Sequence, residues 1–105
     1  MGPDLRRSPR YLFFANAEIT ELASEETLRT HTSELSRHGC YLDTMNPFFD
    51  GTALRVRIMH EGKVLDAAAR VVHSTPNVGM GLSFDEISAG HEPVIEQWIT
   101  ALEAS

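Results

Sequence analysis

The stretch from Leu54 to Val71 constrains the fold most. Leu54, Val56 and Ile58 alternate with Arg55 and Arg57, then Glu61-Gly62-Lys63 intervenes, then Leu65, Ala67, Ala69 and Val71 resume the alternation. Period-two alternation marks a strand with one buried face. So short a break, built around glycine, turns the chain back as a hairpin. A lone hairpin is barely stable in water, so other strands must cover its apolar face.

The rest of the chain supplies them. Between Tyr11 and Leu22, Phe13, Ala15, Ala17 and Ile19 alternate with Asn16, Glu18 and Thr20, which predicts a first strand. The polar turn Ser24-Glu25-Glu26 leads to a second over Thr27–Ser33, with Leu28, Thr30 and Thr32 on one face. Ser36 to Gly39 breaks the pattern. A short strand follows over Cys40–Thr44 and ends at the turn signal Asn46-Pro47. Asp50-Gly51 opens the hairpin already described, and after Pro76-Asn77 a sixth strand runs from Met80 to Phe84. Six short strands at close spacing predict a mainly β fold, a small antiparallel barrel that is closed or nearly so. The end of the chain changes period. Val94, Ile95, Trp98, Ile99 and Leu102 form one apolar stripe at helical spacing, with Pro93 suited to the first turn. A C-terminal helix over about 91–103 is expected to plug the barrel, because so small a barrel has little core of its own.

Composition narrows the function. At 105 residues the chain suits one domain, and 42% hydrophobic residues can build a core. Cys40, the single cysteine, excludes an internal disulfide, and no apolar run reaches membrane-span length. With a polar start, these features point to the cytoplasm. The net charge of −6 argues against a general grip on DNA or RNA. Enzyme signatures such as G-x-S-x-G, H-E-x-x-H and a Walker loop are missing, so no catalytic residue is assigned. The five histidines do not fall at structural-zinc spacing, apart from His38 beside Cys40. Cys40 reads more simply as a small buried hydrophobe.

Two short segments stand out. Arg6, Arg7 and Arg10 lie in a polar stretch, 1–10, that reads as a flexible arm ahead of the barrel at 11–105. Guanidinium groups offer forked donors for phosphate oxygens and for the O6/N7 edge of guanine. The second segment, Glu34-Leu35-Ser36-Arg37-His38-Gly39, brings a carboxylate, a hydroxyl and a glycine to one turn. A carboxylate accepts from the N1–H and amino group of guanine, and a serine donates to phosphate. Taken singly, the first segment also reads as a solvated tail. The second also reads as an ordinary turn, with Ser36 capping the backbone and Gly39 supplying a positive φ.

Together they resemble the PilZ domain family of bacterial cyclic di-GMP receptors, marked by R-x-x-x-R and then D/N-x-S-x-x-G. Arg6 to Arg10 is similar to the first motif, and Glu34, Ser36 and Gly39 to the second. Gly39-Cys40-Tyr41-Leu42, Ala69-Arg70-Val71-Val72, Gly79 to Phe84 and the helix with Trp98 look like the later elements of that family. The resemblance implies a six-stranded split barrel with a C-terminal helix. It also implies a ligand, cyclic di-GMP as one molecule or an intercalated pair, held by Arg6, Arg10, Glu34 and Ser36. Arg7 would assist and Gly39 would shape the turn. Ligand would order the arm and create a surface for a downstream protein partner, with no cofactor, metal, nucleic acid or membrane required. Two positions depart from the family pattern. Glu34 stands where Asp or Asn is expected, and folding the longer side chain back costs about 1–2 kcal/mol. His38 stands where a glycine is common. Those departures leave a second reading, a barrel of the same fold that binds protein partners and no nucleotide. Arg55 and Arg57 read as a solvated face, whereas Arg70 lies on a strand from which it could reach the ligand rim.

Overall fold

The computed structural model describes residues 9–105. In chain order these form β1 (Tyr11–Leu12), β2 (Asn16–Glu21), β3 (Thr27–Ser36), β4 (Gly39–Asp43), β5 (Ala53–His60), β6 (Lys63–Thr75), β7 (Gly79–Ile87) and α1 (Glu92–Ala104). The sheet runs β3-β2-β5-β6-β7-β4 and closes because β4 pairs with β3. All pairings are antiparallel, and β1 adds a short seventh strand along β3. The expected six-stranded barrel is therefore present with one addition.

The hairpin that anchored the sequence reading forms as expected. His60 faces Lys63, and Glu61 and Gly62 have φ of 52° and 81°, the two positive values of a type I′ turn. Leu54, Val56, Ile58, Leu65, Ala67, Ala69 and Val71 all point into the core. Arg57 lies outside, in a two-pronged pair with Asp66 at 2.9 and 3.2 Å, which holds the Asp66 carboxyl below the usual carboxylate range.

The first strand differs from expectation. Tyr11–Leu22 is not continuous but breaks at Phe13–Ala15. Across the break two backbone bonds persist, from the Phe13 amide to the Ser33 carbonyl at 3.0 Å and from the Thr32 amide to the Ala15 carbonyl at 2.8 Å, and the Thr32 side chain adds two more. The amide of Ala15 donates to Thr32 Oγ1 at 3.0 Å, and the hydroxyl donates to the Phe13 carbonyl. Thr32 is fully enclosed, the one buried polar residue among those described.

Beside it the β3–β4 register slips. Thr32 faces Leu42 but Glu34 faces Tyr41, so Ser33 is an extra residue on β3. A one-residue slip exchanges the faces of everything beyond it. Leu35 is thereby buried while Glu34 and Ser36 stay partly exposed; unbroken alternation with Thr32 would have sent those two inward. Two more slips occur between β6 and β7. They leave Val72 unmatched on β6 and Asp85 unmatched on β7.

Helix α1 caps one end of the barrel. Ile95, Trp98 and Ile99 are buried, and burying each contributes roughly 2 kcal/mol. The Trp98 ring meets Phe13 at 5.2 Å and His60 at 5.9 Å between centroids. Arg37 Nη2 lies 3.0 Å from Glu96, tying the β3–β4 turn to the helix. No helix among the described residues is long and apolar enough to cross a membrane.

Thr32→Val keeps the shape but strands the Ala15 amide. Urea unfolding should show a loss of about 1–3 kcal/mol with an unchanged m-value. Stability equal to the parent would mean that the hydroxyl does not hold the break.

Candidate ligand-binding site

A cleft of about 510 Å³ lies against the outer surface of β3, β4, β7 and β6. Its shape follows from the registers. One cross-strand row runs Ser36, Gly39, Ser83, Arg70, and the neighbouring row runs Glu34, Tyr41, Gly81. With no side chain at Gly81, a trough opens between Tyr41 and Val72.

On the β3 wall stand Glu34 and Ser36, with Arg10 beside them. Arg10 reaches this wall because β1 pairs with β3, Tyr11 facing Leu35 and Leu12 facing Glu34. Its Nη1 lies 3.5 Å from Glu34 Oε1. About half of the Arg10 side chain and over a third of that of Glu34 are exposed, so the pair is worth under about 1 kcal/mol. A ligand that offers either group a better partner can take it. Arg6 and Arg7, the other arginines of the arm, lie outside the described residues.

The turn between β3 and β4 is held by its own side chain. Ser36 Oγ accepts from the His38 amide at 3.2 Å, the capping role that the sequence allowed. The His38 carbonyl accepts from the Phe84 amide at 2.8 Å, so β7 grips the turn. His38 is exposed at the cleft and fits the turn without disrupting it.

Gly39 is required for a reason other than a positive φ. It is not among the positive-φ glycines, which are Gly51, Gly62 and Gly90. Instead a Cβ there would sit 2.0 Å from the Leu82 carbonyl oxygen. Gly79, at the other end of the same strand pair, is equally pressed, its missing Cβ 2.2 Å from the Leu42 oxygen. The two glycines let β4 and β7 approach along their whole length. Gly81 makes only ordinary contacts at 3.7 and 3.8 Å.

Cys40 lies in the floor of the cleft, and burial pushes its thiol up to about 12. It stays neutral at physiological pH and acts as a core hydrophobe, not a nucleophile. No group of three or more His, Cys, Asp or Glu among the described residues is placed to hold a metal ion.

On the far wall the sequence points to Arg70 alone. Val72, Ser83 and Asp85 line this wall, and Tyr41 stands between the walls. Arg70 approaches the rim through its ion pair with Asp85, Nη2 to Oδ1 2.9 Å. Sequence offers no mark for Val72 or Asp85, because both owe their placement to slipped registers. Arg37 and Arg57 do not line the cleft. They pair with Glu96 and Asp66.

A closed antiparallel barrel with a capping helix and this outer cleft defines a small helix-capped β-barrel module. The profile of the PilZ domain family matches residues 4–101, and the chain belongs to that family. No significant match is found among curated proteins. Solved structures of similar fold include the Bacillus subtilis inhibitor of motility MotI, with TM-score 0.77 and 21% identity over 96% of this chain and 52% of that one. The chain thus spans about half the length of that protein. The PilZ domain of Escherichia coli YcgR, solved with c-di-GMP, gives 0.73 and 20% over 96% and 93%. The PilZ domain of CeSA from a cellulose-synthesizing bacterium gives 0.71 and 18% over 91% and 99%.

Gly39→Ala should cost about 1–3 kcal/mol through backbone displacement, and Gly81→Ala well under 1. Thermal unfolding of the two variants checks the contrast, and equal losses would refute the assigned close approach.

Proposed function

We propose that this chain is a cyclic di-GMP receptor. The observation that carries the reading is the meeting of Arg10 with Glu34, 24 residues apart, at one cleft also lined by Ser36 and Gly39. These are the positions at which the two family motifs predict ligand contacts. In the proposed complex Arg10, joined by Arg6 and Arg7 from the arm, turns its guanidinium to phosphate oxygens and the guanine O6/N7 edge. Glu34, released from Arg10, accepts from guanine N1–H and the amino group. Ser36 donates to phosphate, and Gly39 lets the β3–β4 turn pack closely on β7 and so shapes the turn. Ligand contacts with three arginines would draw the arm onto the barrel. The altered surface is what a downstream protein would read. No bond of the ligand is made or broken, so the role is reception and not catalysis.

Glu34 lowers the affinity modestly. Its longer side chain reaches Arg10 without ligand, and binding must first break that contact. The pair is weak, so the cost is small. Titration calorimetry with cyclic di-GMP is expected to give micromolar binding. Arg10→Ala should weaken it by about tenfold or more, and Glu34→Asp should strengthen it. No heat at several hundred micromolar ligand would overturn the receptor reading and favour a protein-interaction module of the same fold.

A further inference from the structure

We infer that Asp85, positioned by Arg70, is a second guanine-reading carboxylate on the wall of the cleft formed by β7. The inference rests on the receptor reading above and adds a residue outside both motifs. Three observations support it. Asp85 lines the same cleft as Glu34, on the far side of β4. It is the unmatched residue of a β-bulge, since Phe84 faces Ala69 while Glu86 faces Ala68. Bulges re-aim a side chain that regular pairing would fix, and they gather beside binding sites. Its Oδ1 is held at 2.9 Å by Arg70, a closer pair than the 3.5 Å contact of Glu34 with Arg10, which the ligand breaks. Each wall therefore presents one carboxylate to the cleft.

The chemistry of the ligand decides what such a carboxylate can do. A carboxylate beside a dianionic ligand is repelled by the phosphates and gains only by facing donors. Cyclic di-GMP has donors at the ribose hydroxyls and at the N1–H and amino group of each guanine. The guanine edge presents two donors side by side, which suits the two oxygens of a carboxylate. A guanidinium alongside neutralises the carboxylate and holds its orientation, so Arg70 is a positioning residue. Glu34 then serves one base and Asp85 another.

The test pairs a side-chain change with removal of one ligand atom group. Cyclic di-IMP carries the same phosphates and ribose hydroxyls but lacks the amino group on both bases. Calorimetry with both ligands would be run on the parent chain, Asp85→Asn and Arg70→Gln. The parent should prefer cyclic di-GMP. Asp85→Asn should lose about tenfold in affinity for cyclic di-GMP and much less for cyclic di-IMP, so the preference narrows. Arg70→Gln should narrow it in the same direction by a smaller factor. An unchanged ratio, or an equal loss for both ligands, would reduce Asp85 to a surface ion-pair partner and overturn the inference while the receptor reading stands. A parent chain that binds neither ligand overturns both. Circular dichroism melts of the variants, with Asp85 and Arg70 both exposed, should match the parent and show that folding is intact.

Discussion

Closure of the sheet through the β3–β4 pairing is the constraint on which the rest of the structure depends. Six strands enclose little volume, and the interior accordingly carries Ala17, Ala67 and Ala69 beside its larger aliphatics. Closure also presses β4 onto β7. Gly39 and Gly79 mark the two ends of that contact, each with a facing carbonyl in the space a Cβ would fill. One end of so narrow a barrel must be sealed by something other than strands. Helix α1 does this with Ile95, Trp98 and Ile99, and Trp98 packs tilted against Phe13 and edge-on to His60.

The cleft follows from the same constraint. A small barrel that must twist and bend to close takes up the mismatch where its ladders slip. The slips fall at Ser33, Val72 and Asp85. The first turns Glu34 and Ser36 to the outer surface, and the other two line the opposite wall. Two of the three residues that irregular pairing displaces, Val72 and Asp85, line the cleft themselves, and the third, Ser33, re-aims its neighbours Glu34 and Ser36 toward it. The β3–β4 turn belongs at once to the cleft, through Ser36 and Gly39, and to the capping helix, through the Arg37–Glu96 pair.

Much of this was legible in the sequence. Alternation along β5 and β6 and the glycine turn between them gave the hairpin, and helical spacing gave α1 to within a residue or so of its observed ends. The two motifs pointed to Arg10, Glu34, Ser36 and Gly39, four residues that share one cleft. What was not legible lies in contacts between distant strands. A bulge leaves no local signature, yet it reverses the faces of every residue beyond it. Period-two reading of Thr27–Ser33 therefore could not tell which way Glu34 points. The break at Phe13–Ala15 was hidden because it is stabilised by Thr32, 17 residues from Ala15. The need for Gly39 was legible as a residue type but not as a cause, since the Leu82 carbonyl that excludes a side chain comes from a distant strand.

In the proposed receptor an arm arginine, the β3–β4 turn and the bulged wall of β7 act as one ligand surface. Amide chemical-shift mapping during titration with cyclic di-GMP tests it most directly. The largest shifts should gather at Arg10, Glu34 to Gly39 and Ser83 to Asp85. Loops 22–26 and 76–78, at the barrel end away from α1, should be nearly silent. Shifts centred on those loops, or on α1 alone, would contradict it.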